Sequence, residues 1–204
     1  SYGDTGSCQR RYYLHSDEEA EPYGQKPGEF TDWETVGEGT DLLIYEGLHG
    51  GIATDDTDVS KYVDLLIGVD PIVNLEWIQK IFRDCEQRCY STEAVTDNIL
   101  RRMTDYVHYI TPQFSRTDIN FQRVPTVETS NPFCARDCQS QYESVVVFLC
   151  RDPKKVDIDF PYLLCLLVDS FMSRSITIVA PAGKMGFAME IILAPIIERI
   201  LSNR

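Results

Sequence analysis

Residues 42–50 read LLIYEGLHG. Four apolar residues in a row, Leu42 to Tyr45, have the length and composition of a buried β-strand, and the acid, glycine and histidine that follow mark its end and a turn. Outward from that run the chain alternates. The first forty residues are polar and rich in Gly, Pro and acids, with one short strand predicted at Arg11 to His15. A second apolar run lies at Val63 to Val69, and helical spacing follows over Asn74 to Cys89 and Thr92 to Met103, with Asn74 and Ser91 as N-caps. Strands are predicted at Asp118 to Val124, Ser144 to Cys150 and Ser175 to Val179, an apolar helix from about Tyr162, and a last helix from about Lys184 to Leu201. This order predicts a mostly parallel sheet covered on both faces. The expected organisation is a loop-rich lead-in over residues 1–40 and an α/β core over residues 41–204.

Charge and cysteine usage narrow the function classes. With 19 Lys and Arg against 32 Asp and Glu, the net charge is -13, and no basic stripe stands out. An acidic chain of this kind is repelled by phosphate backbones and anionic lipid surfaces, so a nucleic-acid role is excluded. No run reaches the roughly 20 apolar residues of a transmembrane helix. Seven cysteines, an odd number without repeated C-x-x-C pairs, point to reduced thiols in a reducing compartment. Cys134 and Cys138 in CARDC, even with His108, fall short of a zinc ligand set.

The Asn74 to Cys89 segment is the richest in candidate chemistry. Leu75, Ile78, Phe82, Cys85 and Cys89 share one helical face, while Lys80, Arg83, Asp84 and Arg88 share the other. By spacing alone this is a solvated face whose i,i+4 ion pairs contribute a few tenths of a kcal/mol each. Glu46, at the end of the LLIY run, either caps the following turn or, at the mouth of a sheet, holds Mg²⁺.

Longer runs carry a family resemblance. They are FTDW (30–33), YEGLHG (45–50), NLEWIQKI (74–81), STEAVTD (91–97), PQFSRTDINFQRVP (112–125), TSNPF (129–133), IDFPYL (158–163) and SFMSR (170–174). In this order they resemble the bacterial form of phosphoribulokinase. The resemblance implies a nucleotide-kinase-like α/β sandwich with a mixed sheet, and transfer of the ATP γ-phosphoryl group to the C1 hydroxyl of ribulose 5-phosphate with Mg²⁺, a Calvin-cycle reaction. It makes Lys80 and Arg83 phosphate-facing, Asp84 an acidic active-site residue, Glu46 and Asp84 the metal-facing carboxylates, and His15 and Arg88 sugar-phosphate ligands. Arg101, Arg102 and Arg174 match a subunit-interface site that answers to NADH and AMP. The chain departs from the family at Lys154 and Lys155 in PKKVD and at CARDCQSQYES. The implied assembly is a homo-oligomer in a bacterial cytoplasm or plastid stroma.

One family element does not occur in the sequence. Gly3, Gly6, Gly24 and Gly28 follow no apolar strand, and no GK[ST] triplet exists. The chain is therefore expected to correspond to the C-terminal two thirds of such an enzyme, its sheet incomplete for want of the phosphate-loop strand or completed by another chain. The alternative expectation is a non-catalytic pseudoenzyme kept as a structural subunit of a larger complex.

Overall fold

The structure is a computed structural model and describes residues 9–35 and 41–203. The chain divides into two compact units, Ser1–Ile44 and Tyr45–Arg204.

In the first unit, β1 (Gln9–Arg10) pairs antiparallel with β2 (Glu34–Thr35), and a short helix α1 (Asp17–Ala20) lies between them. Ser16 caps α1 by accepting from the Glu19 amide at 3.3 Å. Tyr13 and Phe30 form an isolated antiparallel bridge inside the Arg11 to His15 run, where the sequence suggested a short strand. Among the described residues, Leu14 and Ala20 are the buried apolar residues of this small unit.

The second unit is built on β3 (Ile67–Pro71), α2 (Val73–Arg88), α3 (Thr92–Arg101), α4 (Met103–Asp105), β4 (Ile119–Pro125), β5 (Ser144–Cys150), α5 (Pro153–Val156), α6 (Phe160–Leu166), β6 (Phe171–Arg174), β7 (Thr177–Pro181) and α7 (Met185–Ser202). Five strands form one sheet in the order β3-β4-β5-β7-β6. Only β3 and β4 run parallel as neighbours; the other three pairings are antiparallel. The sheet is thus mixed, not mostly parallel. The helical connections do join parallel strands, β3 to β4 and β5 to β6. The hairpin from β6 then inserts β7 between β5 and β6, and an antiparallel neighbour needs no long crossover.

Residues alternating along the strands build the core. Ile119 and Phe121, Val146 and Phe148, and Ile178 and Ala180 point to one side, where Leu163, Ala188, Ile192 and Ile196 of α6 and α7 cover them. Phe121 and Phe148 are register partners and meet edge to face at 5.2 Å. The opposite side is not covered as expected. There Gly68, Asp70, Asn120, Gln122, Val147 and Leu149 line a cavity of about 480 Å³. Gly68 is required by close approach, because a Cβ would stand 2.1 Å from the Asn120 side-chain oxygen.

The strand expected at Leu42 to Tyr45 does not form; these residues are irregular, and Ile44 is 77% exposed. An apolar run becomes a strand only beside a neighbour that satisfies its N–H and C=O groups, and none pairs with it among the described residues.

Candidate active site on helix α2

Helix α2 begins at Ile72 as N-cap, not at Asn74. Asn74 lies in the first turn and instead donates its side-chain amide to the Thr129 carbonyl at 3.0 Å. Ser91 caps α3 as expected, accepting from the Ala94 amide at 3.2 Å. The two helices pack through Ile81, Val95 and Ile99, with Trp77 stacked on Phe133 at 5.6 Å.

The buried residues of α2 are Leu75, Ile78, Ile81 and Asp84, a stripe advancing by three. Asp84 therefore continues the apolar side rather than sitting on a solvated face, and Cys89 of the expected apolar face is exposed. The Asp84 side chain is 5% exposed, whereas those of Lys80, Arg83 and Arg88 are 30%, 48% and 56% exposed. All three cations converge on it. Lys80 Nζ donates to Oδ2 at 2.6 Å, and Arg83 Nε and Arg88 Nη1 donate to Oδ1 at 3.0 and 3.1 Å. Burial by itself would push the Asp84 carboxyl up, but the Lys80 and Arg83 hydrogen bonds and charges outweigh it and hold it below the usual carboxylate range.

This arrangement has a chemical consequence. Each cation spends one donor on Asp84, while a Lys carries three and an Arg five. Three positive charges and one negative leave a surplus of two, on cationic side chains that all remain partly exposed. Such a set can offer several donors at once to the oxygens of a polyanion.

Residues 1–130 match the model of the "Phosphoribulokinase / Uridine kinase family". A chromosomal phosphoribulokinase of Cupriavidus necator is 59% identical over 204 residues, 100% of this chain and 69% of its own length. The chain belongs to the phosphoribulokinase family. A phosphoribulokinase of Nitrobacter vulgaris is 54% identical over the same 204 residues and 70% of its length. The solved structure of phosphoribulokinase from Rhodobacter spheroides is 51% identical, covers 98% of this chain and 69% of that one, and superposes with a TM-score of 0.86. The α/β kinase fold with a mixed sheet is that of the phosphoribulokinase family.

The remaining residues singled out from the sequence fall in different places. Glu46 is exposed two residues before a turn closed by Gly50 N–H to Gly47 O, and no side-chain partner engages its carboxylate among the described residues. Mg²⁺ is commonly held by one or two carboxylates together with substrate phosphates, and Glu46 fits that part. Asp84 fits it less well, since three cations already crowd its oxygens and a fourth adds like charge. Among the described residues no group of three or more His, Cys, Asp or Glu side chains surrounds a metal-sized space. His15 belongs to the first unit, exposed, its ring edge-on to Tyr13 at 4.9 Å. Arg101 ends α3, Arg102 caps it and Arg174 ends β6, all three exposed. His108 bonds the Thr104 carbonyl through Nδ1 at 2.7 Å. Lys155 is tied into the fold, with Nζ 2.6 Å from the buried Asp118.

Two features were missed in the sequence. One is an acidic cluster at the start of α2: Asp70, whose carboxyl is pushed up to about 7 first by burial and then by the Glu76 charge, and Tyr106, which donates to Glu76 at 2.7 Å. The other is the PQFSRTDIN run, in which polar side chains fasten the segment from Leu48 to Leu66. Gln113 holds Leu48 and Gly51, Arg116 reaches Asp58 at 2.9 Å and Ser60 at 2.8 Å, and Asp118 accepts from the Leu66 amide at 3.0 Å. Gln113, Arg116 and Asp118, three polar residues just before the onset of a strand, were the available signal.

Proposed function

We infer that the intact protein transfers the γ-phosphoryl group of ATP to ribulose 5-phosphate. The observation that carries this reading is the convergence of Lys80, Arg83 and Arg88 on the buried Asp84. Phosphoryl transfer needs little covalent help from the protein and depends on positioning and on neutralising spread negative charge. Lys80 and Arg83 face the transferring phosphoryl group, Arg88 takes the sugar phosphate, and Asp84 fixes the cations; for His15, in the first unit, the same role rests on the family resemblance alone. Glu46 is the carboxylate that would face Mg²⁺, which would supply positive charge to offset that of the phosphates. No G-x-x-x-x-G-K-[ST] run occurs in these 204 residues, so in this reading they supply the part of the kinase beyond the nucleotide phosphate loop.

Finer parts of the reading are a response to NADH at Arg101, Arg102 and Arg174, self-association, and a reducing bacterial cytoplasm. The described cysteines are all free, and the relatives named above are bacterial.

The test is an ADP-release assay on the intact protein with ribulose 5-phosphate and uridine as rival acceptors. Turnover with the sugar phosphate alone is expected. Turnover with uridine alone, or with neither, would overturn the reading.

A further inference from the structure

The PQFSRTDIN run contains a buried amide placed to set the loop that carries Glu46. Gln113 is 8% exposed and lies in the single turn of 3₁₀ helix at Thr111–Ser115, after a π-helical turn at Tyr106–Ile110. Its Oε1 accepts from the Gly51 amide at 2.9 Å. Its Nε2 donates to the Leu48 carbonyl at 3.0 Å and, within its own segment, to the Tyr109 carbonyl at 2.6 Å. One amide donor and two carbonyl acceptors leave no choice in the orientation of the amide. The loop is thus gripped at two points three residues apart, and the first lies two residues beyond Glu46. Gly51 is itself buried, and a Cβ there would meet Leu66 Cδ2 at 3.2 Å and the Gln113 side chain at 3.5 Å, so the backbone is seated against its clamp.

Glu46 has no side-chain partner of its own among the described residues. Its position therefore depends on the backbone that follows it, and that backbone is held by Gln113. We propose that Gln113 is a positioning residue for phosphoryl transfer, which fixes Glu46 toward the metal through the Leu48 and Gly51 backbone. The proposal rests on the phosphoribulokinase reading above. Groups that orient a metal-facing ligand without touching the metal change metal affinity or activity by roughly 10–100-fold when lost.

The test uses the intact protein with Gln113→Met, which keeps side-chain volume and removes all three hydrogen bonds, and with Gln113→Glu, which keeps the acceptor for Gly51 and loses both Nε2 donors. Amide hydrogen exchange of residues 47–52 reports the clamp directly, and the Mg²⁺ concentration for half-maximal rate reports its effect on Glu46. For Gln113→Met, faster exchange at Gly51 is expected, with a Mg²⁺ requirement raised on the order of tenfold and a smaller fall in kcat. For Gln113→Glu, Gly51 is expected to stay protected while the Mg²⁺ requirement still rises, since Leu48 is released; this variant carries the test if Gln113→Met does not fold. Loop exchange that quickens with an unchanged Mg²⁺ requirement would make Gln113 merely structural and overturn the proposal. An inactive wild-type protein would overturn the phosphoribulokinase reading itself and the proposal with it, a result visible before any variant is compared.

Discussion

Two aspartates bracket helix α2, and their environments oppose each other. Asp84, near its end, is the more deeply buried yet is held ionised by Lys80, Arg83 and Arg88. Asp70, just before its start, has its carboxyl pushed up to about 7, first by burial and then by the Glu76 charge. Burial pushes both carboxyls up, and the cations around Asp84 outweigh it there. The sequence puts the two fourteen residues apart, and the fold makes one an anchor for positive charge and the other an acid reluctant to ionise.

The largest effect is expected where the cation surface is cut directly. Lys80→Ala is expected to lower kcat/KM for ribulose 5-phosphate roughly 100–1,000-fold, as loss of a preorganised charge-stabilising donor does, with a circular dichroism spectrum like that of the wild type. Next, Glu46→Gln keeps the shape of the loop and removes its charge. A titration of rate against Mg²⁺ should show a requirement raised roughly 10-fold or more.

The Asp70 environment predicts a smaller effect, read in stability. Its folded pKa is raised above the unfolded value, so between about pH 4 and pH 7 the native state binds more protons than the unfolded one. Its contribution is therefore greatest at the acid end and is lost as pH rises through about 7. Urea unfolding of Asp70→Asn should flatten this fall and raise stability by about 1–2 kcal/mol near pH 8, after discounting for solvent. Asp84 has the opposite sign: its contribution is present at neutral pH and is lost only as pH falls below the ordinary carboxylate range. The smallest expected effect is at the end of α2, where Cys89 adopts a left-handed conformation with φ 57. Cys89→Gly relieves that and should raise the unfolding free energy by about 0.5–1 kcal/mol in the same urea titration.

Much of α2 was legible because sixteen residues of helical spacing leave little alternative, and the pairing of Lys80, Asp84 and Arg88 follows from i,i+4 geometry. The burial of Asp84 was not legible. Its side of the helix is set by Phe133 and α3, which reach α2 from elsewhere in the chain. Strands β4 and β5 were readable from their apolar alternation, yet their antiparallel pairing was not, since the connection over residues 126–143 holds only short 3₁₀ turns and no crossover helix. Leu42 to Tyr45 misled for a related reason: an apolar run states a preference for burial and cannot supply the neighbour that makes it a strand. The role of Gln113 was hidden because it lies in contacts to residues about sixty positions away.

Side-by-side kinetics of Asp84→Asn and Asp70→Asn test the central claim most directly. Both substitutions remove one carboxylate next to the same helix, and ribulose 5-phosphate turnover is measured at saturating ATP and Mg²⁺. The expected result is a loss on the order of 100-fold in kcat/KM for Asp84→Asn, with Asp70→Asn close to wild type. Equal activities, or a loss confined to Asp70→Asn, would contradict the assignment of the Asp84 cation cluster as the phosphate-holding surface.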